Sequence, residues 1–181
     1  MLRLILAFVD IMLHRRGPAD LPSSQFLVWL LIAVSLGVEL AVLYANDGGM
    51  REAAVSVLVT LLDVWFVWAL LRTFNRQRRF RQTMSALLGT DTILNLAGAP
   101  LVPWLKASAS ATAAASSAAA PETQITLPLL LTALLGIWSI DIAAFVFARA
   151  LERPYVLCVA IMLGYVLLIV SLQTTLLGPV G

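Results

Sequence analysis

The chain has 181 residues, of which 61% are apolar and 12% are charged, and its mean hydropathy is +0.94. This composition is far from that of an average water-soluble domain and is typical of a protein that lies mostly in a membrane. The single cysteine, Cys158, excludes an intrachain disulfide and a cysteine-based metal site, and nothing in the net charge of +2 indicates a nucleic-acid partner.

The first predicted element is a short amphipathic helix over residues 1–16. Its polar stripe consists of Arg3, Ala7, Asp10 and His14, and apolar side chains occupy most other positions. This pattern predicts a helix that lies in the headgroup layer of a membrane and ends at Gly17 and Pro18. His14 is the only histidine, and a metal-binding role is not expected because histidine sites usually combine several ligands.

Five long apolar runs in residues 17–181 predict a single membrane domain. The predicted spans cover residues 26–45, 53–71, 84–105, 127–148 and 155–177. Each has about 19–23 residues, which matches a hydrocarbon core roughly 30 Å thick, and in lipid such runs should be helices that satisfy their own backbone hydrogen bonds. The predicted fold class is therefore all-α, an integral membrane bundle of five transmembrane helices with an N-terminal interfacial helix.

Two segments depart from this regular pattern. In the third run, Pro100 and Pro103 lack amide donors, so the helix is expected to kink or to end near Ala99. The outer loop, residues 106–126, contains the tract 107–120, which consists only of Ala, Ser and Thr. Because such small residues cannot bury a core, the loop is predicted to be a flexible linker.

The basic residues predict an orientation. Ten of the twelve Lys and Arg residues fall on the side of the N-terminus, and only Arg51 and Lys106 fall on the other side. The excess of basic residues in cytoplasmic loops predicts a cytoplasmic N-terminus and a C-terminus on the opposite side, which in a bacterial inner membrane is the periplasm. The densest cluster consists of Arg72, Arg76, Arg78, Arg79 and Arg81. It is either a topology signal alone or a docking site for lipid headgroups or a protein.

Four of the five runs contain one acidic residue each, and none of these four contains a Lys, Arg or His. The acids are Glu39, Asp63, Asp91 and Asp141. An uncompensated carboxylate within hydrocarbon costs about 2.5–3.5 kcal/mol even on a lenient insertion scale. We therefore expect these acids to have hydrogen-bond partners, to hold a proton or to line a wet cavity, and they mark the candidate site.

Helical spacing separates these acids by the faces that they share. Asp63, Asp91 and Asn95 fall on faces that carry small or hydroxylated residues. Such faces allow helices to approach closely and to exchange hydrogen bonds, so these three side chains are predicted to lie inside the bundle. Asp141 projects about 180° away from the small-residue stripe of its helix and is expected to meet another helix, another subunit or a cavity.

Position within each run predicts similar depths for Asp63, Asp91 and Asp141, while Glu39 lies nearer the outer surface. Three carboxylates at one depth could converge, which indicates proton-carrier chemistry or the binding of a hard cation through oxygen ligands. Hydrogen bonds that hold the helices in register are the structural alternative. The second tier of candidates consists of Glu39, Thr60 and Gln173.

A resemblance enters at the connection into the third run. The residues that carry it are Arg79-Phe80-Arg81-Gln82-Thr83, Ala86-Leu87-Leu88-Gly89 and Ala99-Pro100-Leu101. With them, the chain resembles bacterial members of the Yip1 family over about residues 26–177. The resemblance implies a small integral membrane protein that acts by binding other proteins or by shaping membranes, with no catalytic residues to carry over.

Two functions of different classes follow. The sequence contains no Gly-rich phosphate loop, Ser-His-Asp set or metalloprotease motif, so neither an enzyme nor a cofactor is predicted. The first function is a non-enzymatic, Yip1-like scaffold or partner subunit, whose partners are membrane lipids and either another protein or a second copy of the chain. The second function is a proton- or cation-coupled transporter, or a subunit of one, that uses the intramembrane carboxylates.

Overall fold

A computed structural model describes residues 2–116 and 126–178, and within these ranges the regular elements are helices. They are α1 (Leu2–Met12), α2 (Gln25–Ala45), α3 (Met50–Thr73), α4 (Phe80–Gly98), α5 (Leu101–Ser116), α6 (Leu127–Leu151) and α7 (Tyr155–Leu177). Short 3-10 turns at Pro18–Asp20 and Gln77–Arg79 precede α2 and α4. The predicted all-α class is confirmed.

Four helices, α2, α3, α6 and α7, are long and apolar enough to cross a membrane. Each has 21–25 residues, and most of its surface is not covered by the rest of the chain. These four helices identify the chain as a multi-pass membrane protein. The predicted number of five spans is not confirmed, because α4 is not among the helices that meet the same standard.

The central position of α4 explains its lower apolar content. This helix contacts α1, α2, α3 and α6, and much of its surface is buried by them. Thr83, Thr90 and Thr92 are buried in α4, and each hydroxyl donates to the backbone carbonyl oxygen four residues earlier. A helix that is covered by other helices meets little lipid, so it tolerates polar and small residues that a lipid-facing helix does not.

The predicted third span, residues 84–105, is not one helix. The helix α4 ends at Gly98, Ala99 and Pro100 form a turn, and α5 begins at Leu101. Pro100 removes the amide donor that would continue the ladder, and the expected end near Ala99 is confirmed. One apolar run therefore contains the end of one helix and the start of another.

The predicted linker begins as a helix. The helix α5 continues to Ser116, so the first part of the loop 106–126 is helical and the prediction is corrected there. Alanine has the highest helix propensity of all residues, and here this propensity outweighs the lack of an amphipathic pattern. Residues 117–125 lie outside the described part of the chain.

The N-terminal helix packs on protein, and its predicted place in the headgroup layer is not confirmed. It ends at Met12, and its residues Phe8 and Ile11 are buried in the hydrophobic core. A Cβ at Gly89 of α4 would lie 2.4 Å from the Phe8 ring, so the missing side chain is what lets the two helices meet. Ala7, predicted for the polar stripe, is buried as well.

Candidate functional site

Three of the four intramembrane acids form a cluster between helices. Glu39 of α2, Asp63 of α3 and Asp91 of α4 lie close enough to interact electrostatically with one another. The contacts of α4 with both α2 and α3 bring these side chains together. We call Glu39, Asp63 and Asp91 the carboxyl cluster.

Two cavities adjoin the carboxyl cluster and meet at Asp91. We call the end of the bundle where α3 ends and α4 begins the arginine-rich end. The near cavity lies on this side, has a volume of about 250 Å³ and is lined by Asp63, Asp91 and Tyr165 among mostly apolar side chains. The far cavity has a volume of about 360 Å³, and its polar lining includes Glu39, Asp91 and Asn95. Asp91 is exposed, and its side chain lines both cavities.

Asp63 has an aromatic hydrogen-bond partner. The hydroxyl of Tyr165 in α7 donates to Oδ1 of Asp63 at 2.6 Å. The Tyr165 ring stacks on Phe66, with 3.9 Å between ring centroids and 12° between ring planes. Because this stack fixes the ring, the hydroxyl is held in place to donate to the carboxylate.

Asp91 has amide and hydroxyl partners. Nδ2 of Asn95 donates to Oδ2 of Asp91 at 3.0 Å, and Oγ of Ser35 lies at 3.5 Å from the same oxygen. Glu39 lines the far cavity, and no side-chain hydrogen bond to it is seen among the described residues. No Lys, Arg or His lines either cavity, so within the described residues only hydroxyl and amide groups compensate the cluster.

Asp141 lies outside the carboxyl cluster, so the predicted convergence of Asp63, Asp91 and Asp141 is wrong. The hydroxyl of Tyr155 donates to Asp141, and Nε2 of His14 lies 3.4 Å from its Oδ2. This contact agrees with the predicted direction of Asp141, away from the small-residue stripe of α6. Sequence reasoning missed His14 as its partner, since only the fold of the turn after α1 brings His14 to α6.

Of the second-tier candidates, Glu39 lies in the carboxyl cluster, whereas Thr60 and Gln173 do not. Glu39 belongs to the cluster, although its predicted depth set it apart. The Thr60 hydroxyl donates to the carbonyl oxygen of Ser56 at 3.0 Å, which is a bond within α3, and Gln173 lines neither cavity. Within the described residues, no three His, Cys, Asp or Glu side chains come together as ligands of one metal ion.

We expect Tyr165→Phe to lower the free energy of unfolding by about 1 kcal/mol, because Asp63 loses its hydroxyl donor while the stack on Phe66 is kept. Tyr44→Phe is the matched control, since Tyr44 lies exposed in α2. Thermal unfolding of the purified protein in detergent measures both. Equal midpoints for Tyr165→Phe and the wild type would show that the hydrogen bond does not stabilise the bundle.

At the arginine-rich end, Arg79 links the start of α4 to the end of α6 through hydrogen bonds and an ion pair. Its Nη1 donates to the carbonyl oxygens of Arg149 and Ala150 at 3.1 and 3.2 Å, and its Nη2 donates to Glu152. Arg76 binds the same carboxylate. Hydrogen bonding from Arg79, together with the charges of Arg79 and Arg76, lowers the pKa of Glu152.

This pair of arginines predicts a pH dependence. Because the pKa of Glu152 is lower in the folded protein than in the unfolded chain, its stabilising effect is present above the unfolded pKa and is lost as pH falls through the folded pKa. The wild type should therefore unfold at a higher temperature than Glu152→Gln at pH 7. Thermal scans from pH 7 to pH 3 should show the difference shrinking toward zero, and a constant difference would contradict the proposed role of its charge.

The other arginines of the cluster have no acidic partner in the described part of the chain. Arg72 lies over the Trp68 ring, with 4.9 Å from its guanidinium carbon to the ring centroid. Arg78 and Arg81 are exposed and line one cavity. The structure therefore separates arginines that hold the fold together from arginines that are open to a ligand.

Comparisons with models of protein families, with curated proteins and with solved structures found no match to this chain. The roles of the carboxyl cluster and of the arginine-rich end therefore rest on their own geometry and chemistry. What this geometry establishes is a multi-pass membrane protein with a carboxyl cluster between two cavities.

Proposed function

We propose that this chain is a proton- or cation-coupled transporter, or a subunit of one, in which the carboxyl cluster carries the coupling ion. The observation that supports this function best is the position of Asp91, which opens into both cavities from the central helix α4. Acidic residues kept within a membrane bundle commonly mark ion pathways and proton relays.

The cluster offers a chain of groups that can bind and release protons. Three carboxylates that interact with one another and have no basic partner cannot all be ionised at low cost, so they favour a shared proton or a bound cation. The Tyr165 hydroxyl and Asn95 amide orient Asp63 and Asp91. A proton that enters one cavity would pass to Asp91 and leave through the other cavity.

The proposed topology has five crossings. With 19 residues, α4 is about 28 Å long, which is close to the hydrocarbon thickness of a bilayer. If α4 is counted with the four apolar helices, the N-terminus is cytoplasmic and the C-terminus is periplasmic in a bacterial inner membrane, because the arginine-rich end then lies inside.

Proton flux into vesicles tests this function. The full chain would be reconstituted into liposomes that enclose a pH-sensitive dye, and a potassium diffusion potential would then be imposed with valinomycin. We expect faster acidification than in protein-free liposomes, or the same acceleration only when Na⁺ replaces an impermeant cation outside. Flux equal to that of protein-free liposomes with every cation would overturn the transporter proposal.

A second candidate function is the Yip1-like scaffold or partner subunit. It is favoured by the observation that three of the four acids, Asp63, Asp91 and Asp141, each have a hydrogen-bond partner of their own, as expected of groups that hold helices in register. Its test is the size of the assembly in a mild detergent, measured by light scattering. Asp→Asn variants at Asp63 and Asp91 that lose assembly without altering flux would favour the scaffold.

A further inference from the structure

The arginines around the start of α4 fall into two groups. Arg76 and Arg79 are bound to Glu152, and Arg79 also binds two backbone carbonyl oxygens. Arg78 and Arg81 are exposed, and no carboxylate in the described residues pairs with them. Their positive charges are therefore available to an anion from outside the chain.

These two arginines line a cavity of about 410 Å³ at the arginine-rich end. The other residues that line it are Ser23, Trp68, Gln77 and Phe80. This lining combines two guanidinium groups, a serine hydroxyl and a glutamine amide with two aromatic rings, and it contains no carboxylate. Guanidinium groups bind phosphate oxygens in pairs of parallel hydrogen bonds, so this set of donors suits a phosphate.

The adjacent helix end increases the positive potential of the cavity. The first turn of α4 has no acidic residue, and Arg79, at its N-cap, makes no side-chain capping bond. Acidic side chains normally stabilise the positive end of a helix dipole, whereas Arg78, Arg79 and Arg81 add charge of the same sign. An anion bound between Arg78 and Arg81 would relieve this repulsion.

The position of the cavity identifies the source of the phosphate. Trp68 belongs to α3, lies five residues before the end of this apolar helix, and is 41% exposed. Tryptophan side chains favour the boundary between lipid and water. Arg72, over the Trp68 ring, lies one turn closer to the end of the helix. The cavity therefore lies at the level of lipid headgroups, where a phospholipid phosphate is the most abundant anion.

We propose that Arg78, Arg81 and Ser23 form a binding site for the phosphate of an anionic phospholipid, with Trp68 beside the glycerol and upper acyl chain. The two basic residues at the opposite end offer no similar site. Arg51 donates to the carbonyl oxygen of Leu176, and Lys106 donates to that of Asn46. The proposal is independent of ion coupling by the carboxyl cluster.

Titration with a short-chain lipid tests the site. The full chain in a non-ionic detergent would be titrated with dihexanoyl phosphatidylglycerol, and binding would be followed by tryptophan fluorescence. We expect R78Q/R81Q to weaken this binding by about tenfold or more. The matched control is R15Q/R153Q, which removes the same charge from the same end but outside the cavity and should change binding by less than about threefold.

Further titrations distinguish a lipid phosphate from inorganic phosphate and distinguish charge from paired hydrogen bonds. Dihexanoyl phosphatidylcholine should bind more weakly than phosphatidylglycerol, and inorganic phosphate should not displace the lipid at equal concentration. If R78Q/R81Q does not fold, R78K/R81K keeps the charges but loses the paired hydrogen bonds, and it should still bind the lipid more weakly than the wild type. Equal weakening by both glutamine pairs, displacement by inorganic phosphate, or wild-type affinity in R78K/R81K would each overturn the proposal. Lipid binding unchanged in R78Q/R81Q would also overturn it and would leave these arginines to a protein partner.

Discussion

Asp91→Asn should reduce proton flux into vesicles by roughly tenfold or more, because a positioned carboxyl group that takes up and releases protons typically contributes rate factors of 10²–10⁴. Asparagine preserves the size of the side chain and can still pair with Asn95, so the bundle should remain folded. What is lost is the titratable group that, among the described residues, lines both cavities. Dye-loaded liposomes under a potassium diffusion potential provide the measurement.

The matched control is Asp141→Asn, which removes a carboxylate from the same membrane region but outside the carboxyl cluster. Asp141 is paired with Tyr155 and His14, and it lines neither cavity. We expect flux within about twofold of the wild type for this variant, a change equivalent to roughly 0.4 kcal/mol. Equal losses of flux in the two variants would show that both act through the fold, and full flux in Asp91→Asn would remove Asp91 from the pathway.

Gly89→Ala should lower the free energy of unfolding by about 1–3 kcal/mol, the usual range for overpacking a filled core. The added Cβ would lie 2.4 Å from the ring of Phe8, which is 4% exposed and has little space to move. Helix propensity alone favours the change, since alanine is about 1 kcal/mol better than glycine within a helix, so a net loss of stability would be due to the clash. Thermal unfolding and protease cleavage near the N-terminus should both show α1 leaving α4.

Two further variants identify the cause. A Cβ at Gly164 would meet nothing within 4 Å, so Gly164→Ala should be neutral or slightly stabilising. Shortening the clashing side chain in Gly89→Ala/Phe8→Leu should recover part of the stability that Gly89→Ala loses. A destabilised Gly164→Ala, or a double variant that is less stable than the sum of its single changes, would contradict direct contact between Phe8 and Gly89 as the cause.

The sequence predicts that the candidate site is built from intramembrane acids, but it does not predict which of these acids come together. A third span that continues to residue 105 places Asp91 farther from the outer surface than Glu39, so the sequence alone sets Glu39 apart. With α4 ending at Gly98, Asp91 lies seven residues from the helix end, about 10 Å, and Glu39 lies six residues from the end of α2, about 9 Å. The two acids therefore reach the same level once the break at Pro100 is known.

Continuous apolar runs predict where the helices lie better than they predict what each helix contacts. The runs that became α2, α3, α6 and α7 were recognisable because lipid selects continuous apolar sequence on helices that face it. The sequence of α1 has the same amphipathic pattern whether its apolar face meets headgroups or protein. The contact with protein could not be predicted, because the approach of Phe8 to Gly89 joins residues distant in sequence.

The central position of α4 has a consequence for how the protein is made. A helix that carries Asp91, Asn95 and several hydroxyl groups partitions poorly into lipid when it leaves the translocon alone. The earlier helix α2 packs on it closely, so α4 can enter the bilayer against a helix that is already inserted. Because α2 is synthesised before α4, its packing surface is already present when α4 inserts. Insertion of α4 therefore depends on its tertiary contact with α2.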